Sequence, residues 1–273
     1  MAASDISEAE RRFGAQTGEA QGPDFTPDQE GDEGAVMSLI DHLEELRGRI
    51  IKCLIAVVVG SLIGFVFWDK VLDFLARPLP DVLAELHANH GQKFVVTGLG
   101  EGFMLALEVA VAIGIVLAVP VLLYQTWAFI STALTRNERK YALPFTLIGV
   151  GLFVVGIALG YVVLTYPVNW LINFGSDKVV YLPDANAYLS FVAYFLLAFG
   201  VVFELPLVLT FMSVVGIINS RLLRQKRMYI LFGLWLLSCF ITPGADPYSP
   251  VIIGISFTVL FELSIILMRI IGK

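Results

Sequence analysis

The feature that most constrains this chain is a series of long apolar runs. They lie at about residues 50–68, 103–126, 143–165, 188–216, 229–242 and 251–268. A helix needs about 20 residues to cross the roughly 30 Å hydrocarbon core of a bilayer, and the first four runs reach that length. Apolar residues make up 57% of the 273-residue chain and charged residues only 15%, which is more apolar surface than a soluble domain of this size could bury. The sequence therefore predicts an all-α integral membrane protein with six transmembrane helices, the last two of them short, about 14 and 18 residues.

The positions of the basic residues predict the orientation of these six helices. If the N-terminus is cytoplasmic, fourteen of the eighteen lysines and arginines fall on the cytoplasmic side and four on the outer side. Cytoplasmic loops of membrane proteins carry such an excess of positive charge. We therefore expect both termini to face the cytoplasm.

The first 36 residues differ in composition from the rest. They contain nine acids and two arginines, so the net charge of −6 for the whole chain belongs to this segment. The segment is rich in Gly, Pro, Gln and Asp and has almost no apolar pattern, a composition that is typical of disorder. We expect a disordered acidic tail over residues 1–36 and a membrane domain over residues 37–273.

The sequence carries no pattern of an enzyme, a cofactor site or a metal site. The three histidines lie outside the apolar runs and lack ligand spacing, and no phosphate-binding loop, zinc-protease helix or serine-hydrolase elbow is present. Cys53 and Cys239 each lie within an apolar run, which predicts two buried small hydrophobic side chains rather than a disulfide. We therefore expect neither catalysis nor a bound cofactor.

The segment SLIDHLEELRGRIIKCL predicts an amphipathic helix that continues into the first apolar run. A capping-box spacing opens it, and leucine and isoleucine then recur every three or four residues. The polar face includes Glu45, Arg47 and Arg49. Its carboxylates belong either to a solvated face, in which Glu45 pairs with Arg49, or to a binding surface, and the spacing leaves both open.

The loop between the second and third runs, WAFISTALTRNERKYALP, carries a second candidate carboxylate. Glu138 is flanked by arginine and lysine residues. It is either an ordinary member of a basic cytoplasmic loop, paired with its neighbours, or a ligand-binding group. Trp127 and Phe129, at the start of the segment, suit the membrane–water interface.

Glu204 and Pro206 interrupt the fourth apolar run, YFLLAFGVVFELPLVLTFMSVVG. A carboxylate near the middle of a bilayer costs on the order of 2.5–3.5 kcal/mol on insertion scales. The proline removes a backbone donor, so we expect the helix to kink near residues 202–204 and to open a polar pocket around the glutamate. Glu204 can bond to another span, or it can belong to a transport path such as that of a proton-coupled small-molecule transporter.

Four motifs in order give the chain a resemblance to a known family. They are HLEELRGRI, PVLLYQTWAFISTALTRNERK, AYLSFVAYFLLAFGVVFELP and ITPGADPYSP. From about residue 38 to the C-terminus the chain resembles TatC, the receptor subunit of the twin-arginine protein translocase. The resemblance implies a concave, cup-like bundle of six helices in the bacterial plasma membrane.

The same resemblance implies a function and partners. A member of this family binds signal peptides that contain two consecutive arginines and assembles the single-span proteins TatA and TatB, so that folded cargo is exported with the energy of the proton gradient. It also implies a homo-oligomer within the receptor complex and no nucleic-acid partner.

Carried over by motif position, Glu45 and Glu138 are the carboxylates that bind the signal peptide. Arg47 and Phe129 lie in the same matched patches. A guanidinium group is always charged and can bond a carboxylate with two parallel hydrogen bonds, whereas a lysine cannot. Two carboxylates on separate elements can therefore recognise two adjacent arginines and reject two lysines.

Inside the membrane, the resemblance implies that Glu204 receives a polar residue of a partner helix. It also implies that Thr242, with Cys239 one turn before it, lies where a partner helix docks, although a simple tight turn on the outer side is equally compatible with these residues. Four residues are assigned to turns or kinks: Pro78, Pro206, Pro243 and Asp246. After the turn that contains Asp246, we expect Ser249 to cap the last helix and Pro250 to be its first residue.

The chain departs from the family pattern at three positions. Pro250 stands in place of a glutamine, Thr132 in place of a proline and Glu108 in place of a basic residue. These departures leave both arginine-binding carboxylates in place. We expect Glu108 and Glu262, which lie nearer the ends of their runs, to be structural.

Overall fold

The computed structural model describes residues 39–78, 98–132, 142–174, 184–242, 244 and 246–270. Within these residues there are nine helices: α1 (Leu39–Leu75), α2 (Glu101–Thr132), α3 (Ala142–Val163), α4 (Thr165–Asn173), α5 (Ala185–Val202), α6 (Leu205–Val214), α7 (Ser220–Gln225), α8 (Arg227–Ile241) and α9 (Tyr248–Ile270). The chain divides into two units, residues 1–43 and 44–273, and the helix packing belongs to the second. The acidic tail predicted for residues 1–36 lies outside the described residues.

Five of the helical segments are long and apolar enough to cross a membrane. They are Leu43–Leu75, Glu101–Ile130, Leu143–Asn173, Ala185–Val214 and Tyr248–Ile270. They coincide with five of the six predicted runs and confirm the all-α membrane architecture. The remaining run is α8, whose 15 residues give a length of about 22 Å at 1.5 Å per residue, less than the hydrocarbon core. That α8 is a sixth span stays a prediction.

The last helix is longer than the sequence predicts. The run over residues 251–268 predicts a short helix, whereas α9 has 23 residues. It begins at Tyr248 because Asp246, outside the apolar run, accepts a hydrogen bond from the backbone of the first turn. The prediction that the last two helices are both short is therefore wrong for α9.

Helices α1 and α2 meet at glycines, where their backbones touch. A Cβ atom on Gly60 would lie 2.7 Å from the carbonyl oxygen of Gly114. A Cβ atom on Gly64 would lie equally close, 2.7 Å, to the carbonyl oxygen of Ala110. Small residues four apart let membrane helices approach closely, and here they hold α1 against α2.

A second glycine contact joins α3 and α5, which form the most extensive helix pair of the unit. A Cβ atom on Gly156 would lie 2.7 Å from the carbonyl oxygen of Phe199, and one on Gly160 would lie 2.9 Å from the Phe199 side chain. In the other direction, the Phe153 ring of α3 fills the space above Gly200 of α5. At these glycines, α3 and α5 are in direct contact through backbone atoms and aromatic rings, and a larger side chain would not fit.

The hydrophobic core surrounds α5. Val192, Phe195 and Phe199 are fully buried, and the two rings lie 5.0 Å apart. Buried side chains of α1, α2, α4 and α9 complete the same cluster. At one end, the Tyr188 hydroxyl of α5 donates to the carbonyl oxygen of Leu75 at 2.9 Å, which ties α5 to the end of α1.

The fourth predicted span consists of two helices. Helix α5 ends at Val202 and α6 begins at Leu205. Between them, the Glu204 N–H donates to the carbonyl oxygen of Val201 at 3.1 Å, a tighter turn than that of an α-helix. Pro206 has no N–H to donate to the Val202 carbonyl oxygen, so the regular ladder stops. The interruption falls at the residues where the sequence predicts a kink.

Helix α8 packs against α9 with one side only. Ser238 is fully buried, and Trp235 Nε1 donates to Thr258 Oγ1 at 3.2 Å. The Trp235 ring lies over Gly254, where a Cβ atom would come within 2.9 Å of it. The opposite side exposes large apolar side chains, namely Met228, Tyr229, Phe232 and Phe240. That side suits lipid or a partner helix rather than water.

Candidate functional site

Glu45 on α1 forms an ion pair with Arg49, one turn along the helix. Its Oε1 atom accepts hydrogen bonds from Nε of Arg49 at 3.1 Å and from Nη2. The Arg49 and Glu45 side chains are only 18% and 20% exposed. The pair that the i, i+4 spacing predicts is therefore present, and it is partly buried rather than solvated.

Arg49 also connects this pair to α2. Its Nη1 atom donates to Oε1 of Gln125 at 3.2 Å. The second carboxylate oxygen of Glu45, Oε2, is buried and has no hydrogen-bond partner among the described residues. One oxygen of the carboxylate is thus engaged, and the other is an open acceptor.

Gln125 is a member of this site that the sequence analysis missed. A signal for it exists, because it is a polar residue near the end of an otherwise apolar run, PVLLYQTWAFI. Phe129 lies one turn further along α2, on the same face as Gln125. Arg47 and the neighbouring Glu44 are both exposed.

The loop carboxylate predicted for this region has no described position. Glu138 lies outside the described residues, so the structure does not bring the two candidate carboxylates together or separate them. Thr132 is the last residue of α2. Pro78 is half-buried at the end of the turn that follows α1.

Glu204 lies at the break between α5 and α6 and faces α2 and α3. A Cβ atom on Gly149 of α3 would be 3.1 Å from Oε2 of Glu204 and 3.0 Å from Leu123 of α2. Both carboxylate oxygens are buried and have no hydrogen-bond partner in the described part of the chain. The structural role, a bond to another span, therefore has no support among those residues.

Three other polar groups, Trp127 Nε1 and the hydroxyls of Thr210 and Ser213, are buried without a hydrogen-bond partner among the described residues. The Trp127 ring packs 4.7 Å from that of Phe211 on α6. A buried polar group without a partner is costly, above all in a bilayer. Such groups make this region a candidate functional site.

Glu108 and Glu262, the two carboxylates that the sequence predicts to be structural, have partners. Glu108 of α2 accepts a hydrogen bond from the Ser190 hydroxyl of α5. Glu262 of α9 lies 2.8 Å from Nε of Arg227, at the start of α8. Both residues connect helices, as the sequence analysis expects, and this sets Glu204 apart from them.

The end of α8 holds the residues matched to partner docking. The Thr242 hydroxyl donates a hydrogen bond to the carbonyl oxygen of Cys239 at 3.3 Å, so the hydroxyl is already bonded within the end of α8. Cys239 is exposed and Cys53 is half-buried. The prediction that both cysteines are buried is wrong, because an apolar run does not reveal which face of a membrane helix meets other helices.

The turn after α8 is built around Asp246 rather than Ser249. Asp246 is buried and accepts from the Ser249 N–H at 2.7 Å and from its hydroxyl, also at 2.7 Å. Asp246 is thus the cap, and the prediction that Ser249 caps α9 is wrong. Gly244 lies against this carboxylate, where a Cβ atom would be 2.7 Å from Oδ2. Pro243 lies outside the described residues.

Pro206 and Pro250 both occupy the first turn of a helix. Pro206 is buried at the start of α6. Pro250 is half-buried and is the third residue of α9, so the prediction that it is the first residue is wrong. A first-turn residue has no intrahelical partner for its N–H, so a proline is tolerated there. The departure at Pro250 therefore leaves α9 intact.

Comparison with known proteins identifies the family. A family model described as TatC, Sec-independent protein translocase protein, matches residues 41–256. The TatC protein of Desulforapulum autotrophicum is 38% identical over 234 residues, which cover 85% of this chain and 84% of that protein. The TatC protein of Escherichia coli is 33% identical over 232 residues, which cover 85% of this chain and 88% of that protein.

A solved structure agrees with these sequence matches. The crystal structure of the twin-arginine translocase receptor TatC matches with a TM-score of 0.69 and 30% identity, over 85% of this chain and 100% of that one. The family model covers more than half of the chain, and the relatives match over most of their own length. The chain therefore belongs to the TatC family of Sec-independent protein translocase proteins.

Proposed function

We propose that the protein is the receptor subunit of a twin-arginine translocase, and that Glu45 receives an arginine of the signal peptide. The observation that carries this proposal is the half-used carboxylate of Glu45, with Oε1 bound to Arg49 and Oε2 buried and open. A buried acceptor without a partner is costly, so a ligand that donates to it gains free energy on binding. Support also comes from the similar crystal structure, which is that of a twin-arginine translocase receptor.

Arginine fits this acceptor better than lysine does. Its planar guanidinium offers several N–H donors in a fixed fork, whereas a lysine ammonium is a compact point charge that is more strongly hydrated. The incoming guanidinium bonds the Glu45 carboxylate and displaces Arg49 from Oε1. Arg49 keeps its contact with Gln125 during this exchange, because that bond uses Nη1.

The second arginine of the signal peptide is assigned to Glu138, which follows α2 in the sequence. Phe129 and Arg47 belong to the same surface in this proposal. Phe129 lies one turn from Gln125 along α2, where it can pack against the apolar part of the peptide. The exposed Arg47 lies two residues after Glu45 on α1. Glu45 alone recognises one guanidinium, so the requirement for a consecutive pair depends on both carboxylates.

Inside the membrane, Glu204 is proposed to receive a polar residue of a single-span partner. Its two oxygens are buried and unpartnered among the described residues, and Oε2 lies against Gly149 of α3. Thr242 and the exposed Cys239 lie at the end of α8, where the apolar side is open to a partner helix. TatA and TatB are the partners that the family implies.

The remaining parts of the proposal concern the setting. The protein lies in the bacterial plasma membrane with both termini in the cytoplasm, since basic residues concentrate on that side. It forms a homo-oligomer in the receptor complex and exports folded cargo with the proton gradient. It has no enzymatic step of its own.

The test is binding of a twin-arginine signal peptide and of its Lys-Lys version to purified protein. We expect wild type to prefer Arg-Arg, and Glu45→Ala and Glu138→Ala to lose that preference. Glu44→Ala is the matched control, because Glu44 is an exposed carboxylate on the same helix and should leave the preference unchanged. If wild type and all variants bind both peptides alike, Glu45 and Glu138 do not recognise arginines and the proposal fails.

A further inference from the structure

A basic cavity lies at the end of the membrane helices, apart from Glu45 and Glu204. It has a volume of about 370 Å³, and it is lined by Ser220, Arg221, Arg224, Gln225 and Arg269. Four of these residues belong to α7, and Arg269 belongs to the last turn of α9. Three guanidinium groups thus surround one space from two different helices.

The short helix α7 is held firmly enough to fix these arginines. Asn219 caps it, since its Oδ1 atom accepts from the Leu222 N–H at 2.7 Å. Leu223 is buried and packs in a cluster with Phe261 and Met268 of α9. The orientation of α7 on α9 is therefore set by packing, and the cavity is a built feature of this end of the bundle.

Within the described residues, no carboxylate neutralises the positive charge of the cavity. The two ion pairs among the described residues use Arg49 and Arg227. Arg221, Arg224 and Arg269 thus have no carboxylate partner in that part of the chain. Like charges around one space repel each other, and an anion between them removes that repulsion.

Apolar side chains beside the arginines place the cavity at the surface of a bilayer. Leu222, next to Arg221, is 42% exposed, and Ile270, next to Arg269, is 76% exposed. Helix α9 is an apolar span that ends here, so the guanidinium groups lie where lipid acyl chains give way to headgroups. Basic pockets at the ends of membrane helices bind anionic headgroups.

We propose that this cavity binds the phosphate of an anionic membrane lipid. The guanidinium forks of α7 and α9 bond the phosphate oxygens, and the neighbouring Leu222 and Ile270 contact the acyl chains. The site is separate from Glu45, so the proposal stands whether or not the protein binds signal peptides. Bound lipid would join α7 to the end of α9.

The test uses purified full-length protein in a neutral detergent, with bound lipid counted by native mass spectrometry. Phosphatidylglycerol, phosphatidylcholine and inorganic phosphate are the three probes. We expect phosphatidylglycerol to bind wild type selectively, and Arg224→Gln and Arg269→Gln each to weaken that binding roughly tenfold through the loss of charged hydrogen bonds. The two variants lie on different helices, so a shared effect points to the cavity.

Lys226→Gln is the matched control. It removes one positive charge from the same loop, but Lys226 lies over the Tyr229 ring at 5.8 Å and does not line the cavity. We expect it to bind phosphatidylglycerol as wild type does. Equal weakening by Lys226→Gln would overturn the proposal in favour of general attraction to a basic loop. Displacement of the lipid by an equal concentration of inorganic phosphate would overturn the assignment to a lipid.

Discussion

Replacing Gly156 with alanine tests the contact between α3 and α5. The added Cβ would lie 2.7 Å from the carbonyl oxygen of Phe199 and 2.9 Å from the Phe203 side chain. The backbone oxygen cannot turn away as a flexible side chain can, so the helices must separate. Gly151, on the same helix, has nothing within 4 Å of its Cβ position, and Gly151→Ala is the matched control.

The size of the effect follows from two terms. Forcing an extra methyl group into a filled contact costs about 1–3 kcal/mol. Alanine has a higher helix propensity than glycine by about 0.8–1.0 kcal/mol, and this gain is common to both variants. The difference between Gly156→Ala and Gly151→Ala therefore isolates the steric term, about 1–3 kcal/mol in the free energy of unfolding.

Thermal unfolding in detergent measures this difference. For a chain of this size each kcal/mol lowers the midpoint by roughly 2–4 °C, so we expect Gly156→Ala to unfold roughly 2–12 °C below Gly151→Ala. Equal midpoints would show that α3 and α5 do not touch at Gly156, and the close packing of these two helices would be wrong.

Three further predictions concern the site. Glu204→Ala should unfold at or above the wild-type midpoint, because it removes buried oxygens that have no hydrogen-bond partner among the described residues. It should bind the signal peptide as wild type does, yet fail to export a folded cargo. Normal export would contradict the proposed partner contact. Arg49→Gln should bind an Arg-Arg peptide about two- to fivefold more tightly than wild type, because it removes the internal guanidinium that competes for Glu45. A binding titration measures this, and weaker binding would refute the exchange. Asp246→Ala should lower the free energy of unfolding by about 1–2 kcal/mol, because both hydrogen bonds from Ser249 are lost. An unchanged midpoint in thermal unfolding would show that the cap is dispensable.

Features that depend on local sequence were predicted well. Run length located the membrane helices, and Pro206 located the break between α5 and α6. The i, i+4 spacing of Glu45 and Arg49 predicted their pairing. Each of these features is set by residues a few positions apart, so a single sequence contains the information.

Features that depend on how helices face one another were not predicted. The bond from Arg49 to Gln125 joins residues 76 positions apart and exists only because α1 packs on α2. The exposure of Cys239 depends on which side of α8 meets α9. Asp246, and not Ser249, caps α9, because the fold of the turn buries the Asp246 side chain against the start of that helix. Each of these features depends on which helix faces pack together, and a single sequence does not reveal that.

The glycine contact between α3 and α5 also limits how the protein can move. At Gly156 and Gly200 the two helices meet through backbone atoms and aromatic rings, so sliding one helix along the other would force atoms to overlap. These two helices must travel as one rigid body through any working cycle. The bend at residues 203–204, where the regular backbone bonding is interrupted, is then the place where rotation between α5 and α6 costs least. Because Glu204 lies in that bend, whatever binds its carboxylate also sets the angle between the two helices.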